Sequence, residues 1–428
     1  MNGRTIRRAC AGVGAAAITA LAAVSGASAQ EPVNITFWSW VPGIEDQVDA
    51  FNASQTAIHV EYINKGNGNT EYAALKTALE ANSEIPDAVQ IEFQHLPSFI
   101  ARGELADLTQ FGASDVAGQF LPWTIAQVSQ GEGIYAYPQD AGPMILMCNQ
   151  ELLDKHGITS LATWDEFKAA ATALHAADPN AYLANFTADQ GHFFGLLWQS
   201  GAKPFTVDGT NITIDFTSPE VTRVAQLWDD MRASGDLAPV DTYSSDWNTA
   251  IGNGTIACWG SGAWGPQVIA PAAPDLSGKW TAYQMPQWVA GEAINGNYGG
   301  STIAVTSASQ NQAAAETFNR WLNADPAPTL ELANGPAGLF PVTTATLSDP
   351  AWTEYTSDFF GGQKLHEVTA QAAEAVDVSF QWPPFTDFVY QTYAEAVAAG
   401  TTLVQTMADL QAKVTQYATD QGFTVVAP

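Results

Sequence analysis

The chain reads as an α/β protein built of two units, and three observations point there. Strand-like and helix-like segments alternate from Val33 to Phe93, the order that yields a mostly parallel, doubly wound sheet. Its 428 residues are more than one hydrophobic core usually serves. Hydrophobic residues make up 46%, which excludes a largely disordered polypeptide.

The first elements follow from periodicity. Val33 to Trp40 is strand-like, Ile44 to Asn52 helix-like, and Ala57 to Ile63 alternates as a strand. Thr70 to Asn82 places Tyr72, Leu75 and Leu79 on one helical face. Ala88 to Phe93 is the next strand, bounded by Pro86-Asp87. A second unit follows Tyr137. Thr163 to Glu166 has capping-box spacing ahead of a helix over Phe167 to Ala176. Ser218-Pro219 opens a helix carrying Val221, Val224, Leu227, Trp228 and Met231 inward, stopped near Gly235. Leu403, Met407, Leu410, Val414 and Tyr417 mark a last packing helix. No linker separates the units, which argues that they are woven together.

The N-terminus reads as an export leader. Arg4, Arg7 and Arg8 precede the apolar stretch Ala9 to Val24, and Ala27-Ser28-Ala29 gives a small-residue cleavage site before Gln30. Gln30 stands where a lipid-attachment cysteine would have to be, so the expected product is free in a periplasm. Arg7-Arg8 leaves both the general and the twin-arginine export routes open. The formal charge is −29 and grows more negative once the three leader arginines are gone. Such a field repels phosphate backbones, so nucleic acid is not an expected partner.

Two cysteines remain in the mature chain, Cys148 and Cys258, each ending a short apolar strand-like run. In an oxidising compartment they either bridge, if the strands are neighbours, or stay as two buried thiols. A bridge there would contribute on the order of 4 kcal/mol.

Several chemistries are disfavoured. Gly252-Asn253-Gly254-Thr255-Ile256-Ala257 formally matches a dinucleotide fingerprint but precedes a strand instead of following one. The six histidines are scattered, without metal-ligand spacing. Ser261 lacks a nucleophile elbow. No metal or cofactor is expected. Paired carboxylates for glycoside hydrolysis are not singled out among 44 acids.

The aromatics carry more. Trp259 to Pro266 follows the run Ile256-Ala257-Cys258, and this turn of small residues is expected to leave Trp259 and Trp264 uncovered. Glycines admit close approach of backbone to a ligand, and an indole gives a broad apolar face. A flat ligand with apolar faces and a polar rim, such as a sugar ring, suits that pattern. Trp38-Ser39-Trp40 ends the first strand, where open α/β sheets bind ligands. Trp382 sits in Phe380-Gln381-Trp382-Pro383-Pro384-Phe385, a loop in which it is either a packing residue or a ligand platform.

Taken in order, these motifs resemble the extracellular solute-binding proteins of carbohydrate importers, the class that includes maltose-binding protein. Ile35-Thr36-Phe37-Trp38, Pro86 to Val89, Gly103 to Leu108, Tyr137 to Pro143, Asn149 to Leu153, Thr163 to Phe167, Gly252 to Trp264, Tyr298 to Ser301 and Phe340 to Val342 carry the likeness. The chain departs from it at Cys148-Asn149-Gln150 and at Ala257-Cys258, where relatives often have Tyr-Asn-Lys and Ala-Met. That paired change to cysteine favours the bridge.

The resemblance implies a two-lobe, hinge-linked fold, each lobe a mostly parallel sheet flanked by helices. Residues 1–29 are the leader, 30–141 plus 299–345 the first lobe, and 142–298 plus 346–428 the second, with crossings near Gly142 and Gly299. It implies a sugar-stacking role for Trp264 and a hydroxyl-accepting role for Asp140. Trp40, Glu92, Gly300, Ser301 and Trp382 are further expected ligand contacts. A monomer that hands a carbohydrate to the transmembrane subunits of an importer, without catalysis, is the implied function. Rivals are a secreted carbohydrate-degrading enzyme and a same-fold receptor for a polyamine or polyol.

Overall fold

A computed structural model describes Met1 and residues 31–428; the expected leader, with cleavage after Ala29, lies outside the described residues apart from Met1. The first sheet has five strands in the order Ile58–Ile63, Val33–Trp38, Ala88–Glu92, Ser301–Val305 and Ala136–Pro138. The first three run parallel, joined by the helices Ile44–Ser54 and Asn69–Ala81. Ile44, Val48 and Phe51 are the buried residues of the first helix, one every turn. Ser301–Val305 is antiparallel to both of its neighbours and is buried along its whole length. Ala88–Glu92 is buried up to Glu92, so its one charged side chain emerges at the carboxyl end of the strand, where crevices form in such sheets.

The second sheet departs from the expected parallel arrangement. Cys258–Gly262, Met144–Asn149 and Trp280–Gln284 are antiparallel throughout, with Met144–Asn149 central and fully buried. A short continuous apolar run signals burial on both faces but carries no direction, so it cannot distinguish the two pairings. A smaller sheet joins Thr424–Val426, Asn211–Ile214 and Phe205–Asp208.

Cys258 lies directly opposite Cys148 in the register, and the two form a disulfide with a Cα–Cα distance of 4.1 Å. The bridge closes a separation of 110 residues inside the core. The expected helices form. Thr163 and Glu166 make a reciprocal capping box, Ser218 caps Pro219–Ser234 and a left-handed Gly235 ends it. Leu403–Asp420 buries Leu403, Met407, Leu410 and Val414.

The chain leaves the first sheet between Pro138 and Met144 and returns to it between Gln284 and Ser301. The two connections lie side by side. Tyr298 N–H donates to the Gly142 carbonyl at 2.7 Å, and Gly142 N–H donates to Asn297 Oδ1 at 2.8 Å. A Cβ on residue 142 would stand 1.9 Å from the Tyr298 carbonyl oxygen, so this close approach requires glycine.

Candidate functional site

A cleft of about 620 Å³ opens beside these connections, lined by residues of both sheet systems. From the first come Gly68 and Asn69 at the start of a helix, Glu92 at its strand end, and Gln94 and His95 just beyond. From the second come Asp189, Gln190 and Gly191 at a helix N-terminus, Trp264, Trp382, Asp387, Tyr390 and Gln391. Asn297, Tyr298, Gly299 and Gly300, from the returning connection, line it as well.

Each wall is held from behind. Tyr72 donates to Glu92 Oε2 at 3.0 Å and accepts from Glu92 N–H at 3.0 Å, which fixes that carboxylate. Trp264 donates its ring N–H to the Tyr298 carbonyl at 2.9 Å, and the two rings meet edge to face at 5.0 Å. Its only polar atom is thereby satisfied, which leaves ring surface as what it offers the cleft. Asp189 caps its helix by accepting from His192 N–H at 3.0 Å. His192 is buried and burial holds its imidazole down at about 4, so it is neutral.

One ion cluster spans the opening. Asp387, which begins the helix Thr386–Ala398, accepts from Lys76 at 2.7 Å and lies 2.9 Å from His95 Nδ1. Hydrogen bonding from His95 and then Lys76 keeps the Asp387 carboxyl well below its ordinary range. Lys76 and His95 belong to the first sheet system; the Asp387 helix packs on Leu403–Asp420 and Gln190–Gln199 of the second.

The sequence-derived candidates divide. Trp264, Glu92, Gly300 and Trp382 line the cleft together. Asp140, Ser301 and Trp40 are not among its lining residues. The Asp140 carboxylate, expected to take sugar hydroxyls, accepts from Ser301 N–H at 2.7 Å. Burial nevertheless pushes it up to about 7. Ser301 is buried, and its hydroxyl accepts from Gln90 at 2.9 Å. Trp40 packs edge-on against Tyr72 at 5.9 Å, one layer behind Glu92. Trp382 is mostly covered, 7% exposed, in a cluster with Phe380, Phe194 and Tyr390. Trp259, expected to stay uncovered with Trp264, is buried against Trp247, because the strand Cys258–Gly262 runs on through the small residues.

Sequence reading passed over Asn69, Gln94, His95, Asp189, Asp387, Tyr390 and Gln391. They are single polar or aromatic residues in loops and the first two turns of helices, with no spacing to mark them. Among the described residues no group of His, Cys, Asp and Glu is placed to hold a metal ion, and no helix is long and apolar enough to cross a membrane.

Solved structures share this architecture. The ABC transporter associated binding protein from B. animalis subsp. lactis Bl-04, determined in complex with beta-1,6-galactobiose, is 31% identical, with a TM-score of 0.78 over 92% of this chain and 99% of that one. The galacto-N-biose-/lacto-N-biose I-binding protein of Bifidobacterium longum, in complex with lacto-N-biose, is 23% identical with a TM-score of 0.79 over 93% and 100%; at that identity it shows the fold alone. Among curated proteins, an arabinooligosaccharide-binding protein of Halalkalibacterium halodurans is 23% identical over 250 residues, 57% of this chain and only 56% of that protein. The two-lobe α/β architecture is therefore that of sugar-binding proteins of ABC transporters. The profile of bacterial extracellular solute-binding proteins matches residues 46–360, well over half of the sequence, and the chain belongs to that family.

Proposed function

We propose that this chain is the exported receptor of an ATP-driven importer and holds a neutral sugar or short oligosaccharide in the cleft. In this reading the lobes are 30–141 plus 299–345 and 142–298 plus 346–428, hinged at Gly142 and Gly299. One observation carries it: the fixed carboxylate of Glu92 and the indole of Trp264, from different sheets, line one cleft. A pyranose needs that pairing. Its apolar faces gain about 25 cal/mol per Å² removed from water on an aromatic ring. Its hydroxyls need partners, because a buried unpaired polar group costs roughly 1–3 kcal/mol.

Glu92, Trp264, Gly300 and Trp382 are the proposed contacts. Asp140 and Ser301 support them by fixing the Gly300 turn, and Trp40 supports them by backing Tyr72. A ligand touching both lobes binds the closed form better, and that difference shifts the open–closed balance. The bridge from Asp387 to Lys76 and His95 forms in the same closure. Membrane subunits of the importer read the closed form of a monomeric receptor, and no bond is made or broken. The galactobiose held by the 31% identical neighbour supports a carbohydrate ligand.

Calorimetry tests this with β-1,6-galactobiose, lacto-N-biose and an arabinooligosaccharide, with spermidine as a control. Saturable binding of at least one sugar is expected, weakened tenfold or more in Trp264→Ala with an unchanged melting curve. Binding of spermidine but no sugar would overturn the reading, and release of reducing ends would replace it with an enzyme.

A further inference from the structure

Buried polar groups are nearly always hydrogen-bonded, so each exception asks for a partner. Among the described residues, His192 Nδ1, Trp228 Nε1 and Trp259 Nε1 are buried and have none within the chain. All three residues line one internal cavity of about 20 Å³ beside the second sheet. They reach it from separate elements: the helix Gln190–Gln199, the helix Pro219–Ser234 and the strand Cys258–Gly262. Two other polar side chains on the cavity wall are already engaged. Asn185 accepts from the Trp247 ring N–H at 3.1 Å and donates to Thr242 at 2.7 Å. Thr187 accepts from the same Thr242 hydroxyl at 3.1 Å.

The three nitrogens narrow the occupant. An indole nitrogen only donates. His192 is neutral and donates to the Gly260 carbonyl. A neutral imidazole has a single N–H, so Nδ1 is left as an acceptor. The cavity thus offers two donors and one acceptor. A cation is refused by the indole N–H groups. An anion is refused by the Nδ1 lone pair and by the Asp189 carboxylate, whose field reaches His192. An apolar guest would leave all three nitrogens desolvated and unpaired, which is costly. Water has two lone pairs and two hydrogens; it needs about 10–15 Å³ and roughly three polar partners.

We propose that this cavity is a binding site for one resident water molecule, which accepts from Trp228 and Trp259, donates to His192 Nδ1 and ties together the layer behind the aromatic wall of the cleft. His192 meets Tyr298 edge to face at 5.6 Å, and Trp259 meets Trp264 edge to face at 6.0 Å. Tyr298 and Trp264 both line the cleft. The water therefore stands one ring behind the ligand, whatever that ligand is, and the proposal does not rest on the sugar-binding reading.

The test is a high-resolution crystal structure of the full mature protein without sugar, joined to NMR of the same protein isotope-labelled at tryptophan and histidine nitrogens. One density peak within hydrogen-bonding distance of His192 Nδ1 and both indole nitrogens is expected. In solution, that water should transfer magnetisation to the Trp228 and Trp259 ring N–H protons. His192 Nδ1 should show the chemical shift of an unprotonated ring nitrogen at neutral pH. A cavity with no density and no transfer to either indole would overturn the proposal. So would a protonated Nδ1, or a peak whose anomalous scattering identifies chloride.

Discussion

The two walls of the cleft differ in one respect: aromatic side chains line only one of them, beside its own polar groups Asp189, Gln190, Asp387 and Gln391. On the first-sheet side stand Asn69, Glu92, Gln94 and His95, polar groups set at strand ends and helix starts. On the other stand Trp382 and Tyr390, packed edge to face on each other, and Trp264, packed edge to face on Trp259 and Tyr298. One wall offers directed polar groups alone, and the other adds ring area to them. In the proposed reading, a hinged receptor built this way gains little from either wall alone, and its affinity depends on closure. The supports behind the walls differ in the same sense. The first rests on parallel strands and their crossover helices; the second rests on a three-stranded antiparallel sheet clamped by a disulfide.

The contrast breaks most readily at the disulfide. Replacing both partners, Cys148→Ala with Cys258→Ala, should cost about 4 kcal/mol of stability by releasing a loop of some hundred residues. Denaturant melts of the double variant measure it. The loss should appear as early melting of the aromatic wall's tryptophan signal. A variant as stable as the parent would mean that the sheet needs no clamp.

Each wall also hides one titratable group kept neutral by burial, and the two respond to pH in opposite directions. Glu71, beside Asn69, is buried with neither carboxylate oxygen hydrogen-bonded and is pushed up to about 8. Its folded value exceeds the unfolded one, so its contribution is full below the unfolded value and fades as pH rises through 8. His192 lies behind the other wall and is held down at about 4. Its contribution is full above the unfolded value near 6.5 and is lost as pH falls toward 4. Each effect is on the order of 3 kcal/mol, Glu71 counted to pH 7, at about 1.4 kcal/mol per pH unit of displacement. Glu71→Gln should therefore raise the melting temperature at pH 7–8 and leave it unchanged at pH 4. His192→Asn should flatten the acid limb alone. Parallel slopes in parent and variants would contradict both assignments.

The smallest effect belongs to the bridge between the walls. Asp387 and Lys76 are about half and two-fifths exposed, and an exposed pair contributes less than about 1 kcal/mol. Asp387→Asn should weaken sugar binding by no more than about fivefold, which is the same energy expressed in affinity. It should also remove most of the salt dependence of that affinity. Unchanged affinity at low salt would mean that the bridge takes no part in closure.

How far the sequence disclosed this design depended on the kind of signal. The helix Pro219–Ser234 was legible because a capping serine, a proline at its start, five inward apolar residues and a terminal glycine all agree. The disulfide was half legible: two cysteines in apolar runs suggested it, but only the register placed them opposite each other. The second sheet's direction was hidden, since Met144–Asn149 is buried on both faces and shows no alternation. Trp264 was visible through its glycine-rich setting. Trp259, five residues earlier in the same setting, misled because pattern alone does not reveal where a strand ends. The polar groups of the cleft were the least legible part. Gln94, His95 and Asp387 meet only through folding, from positions about 290 residues apart, and a lone histidine or aspartate in a loop carries no periodicity.

The most direct test is a crystal structure of the protein with the tightest-binding sugar from the calorimetric panel. The account predicts a sugar ring lying on the Trp264 indole with a hydroxyl donated to Glu92. A sugar bound elsewhere, or held by one wall with the Trp264 ring bare, would contradict it.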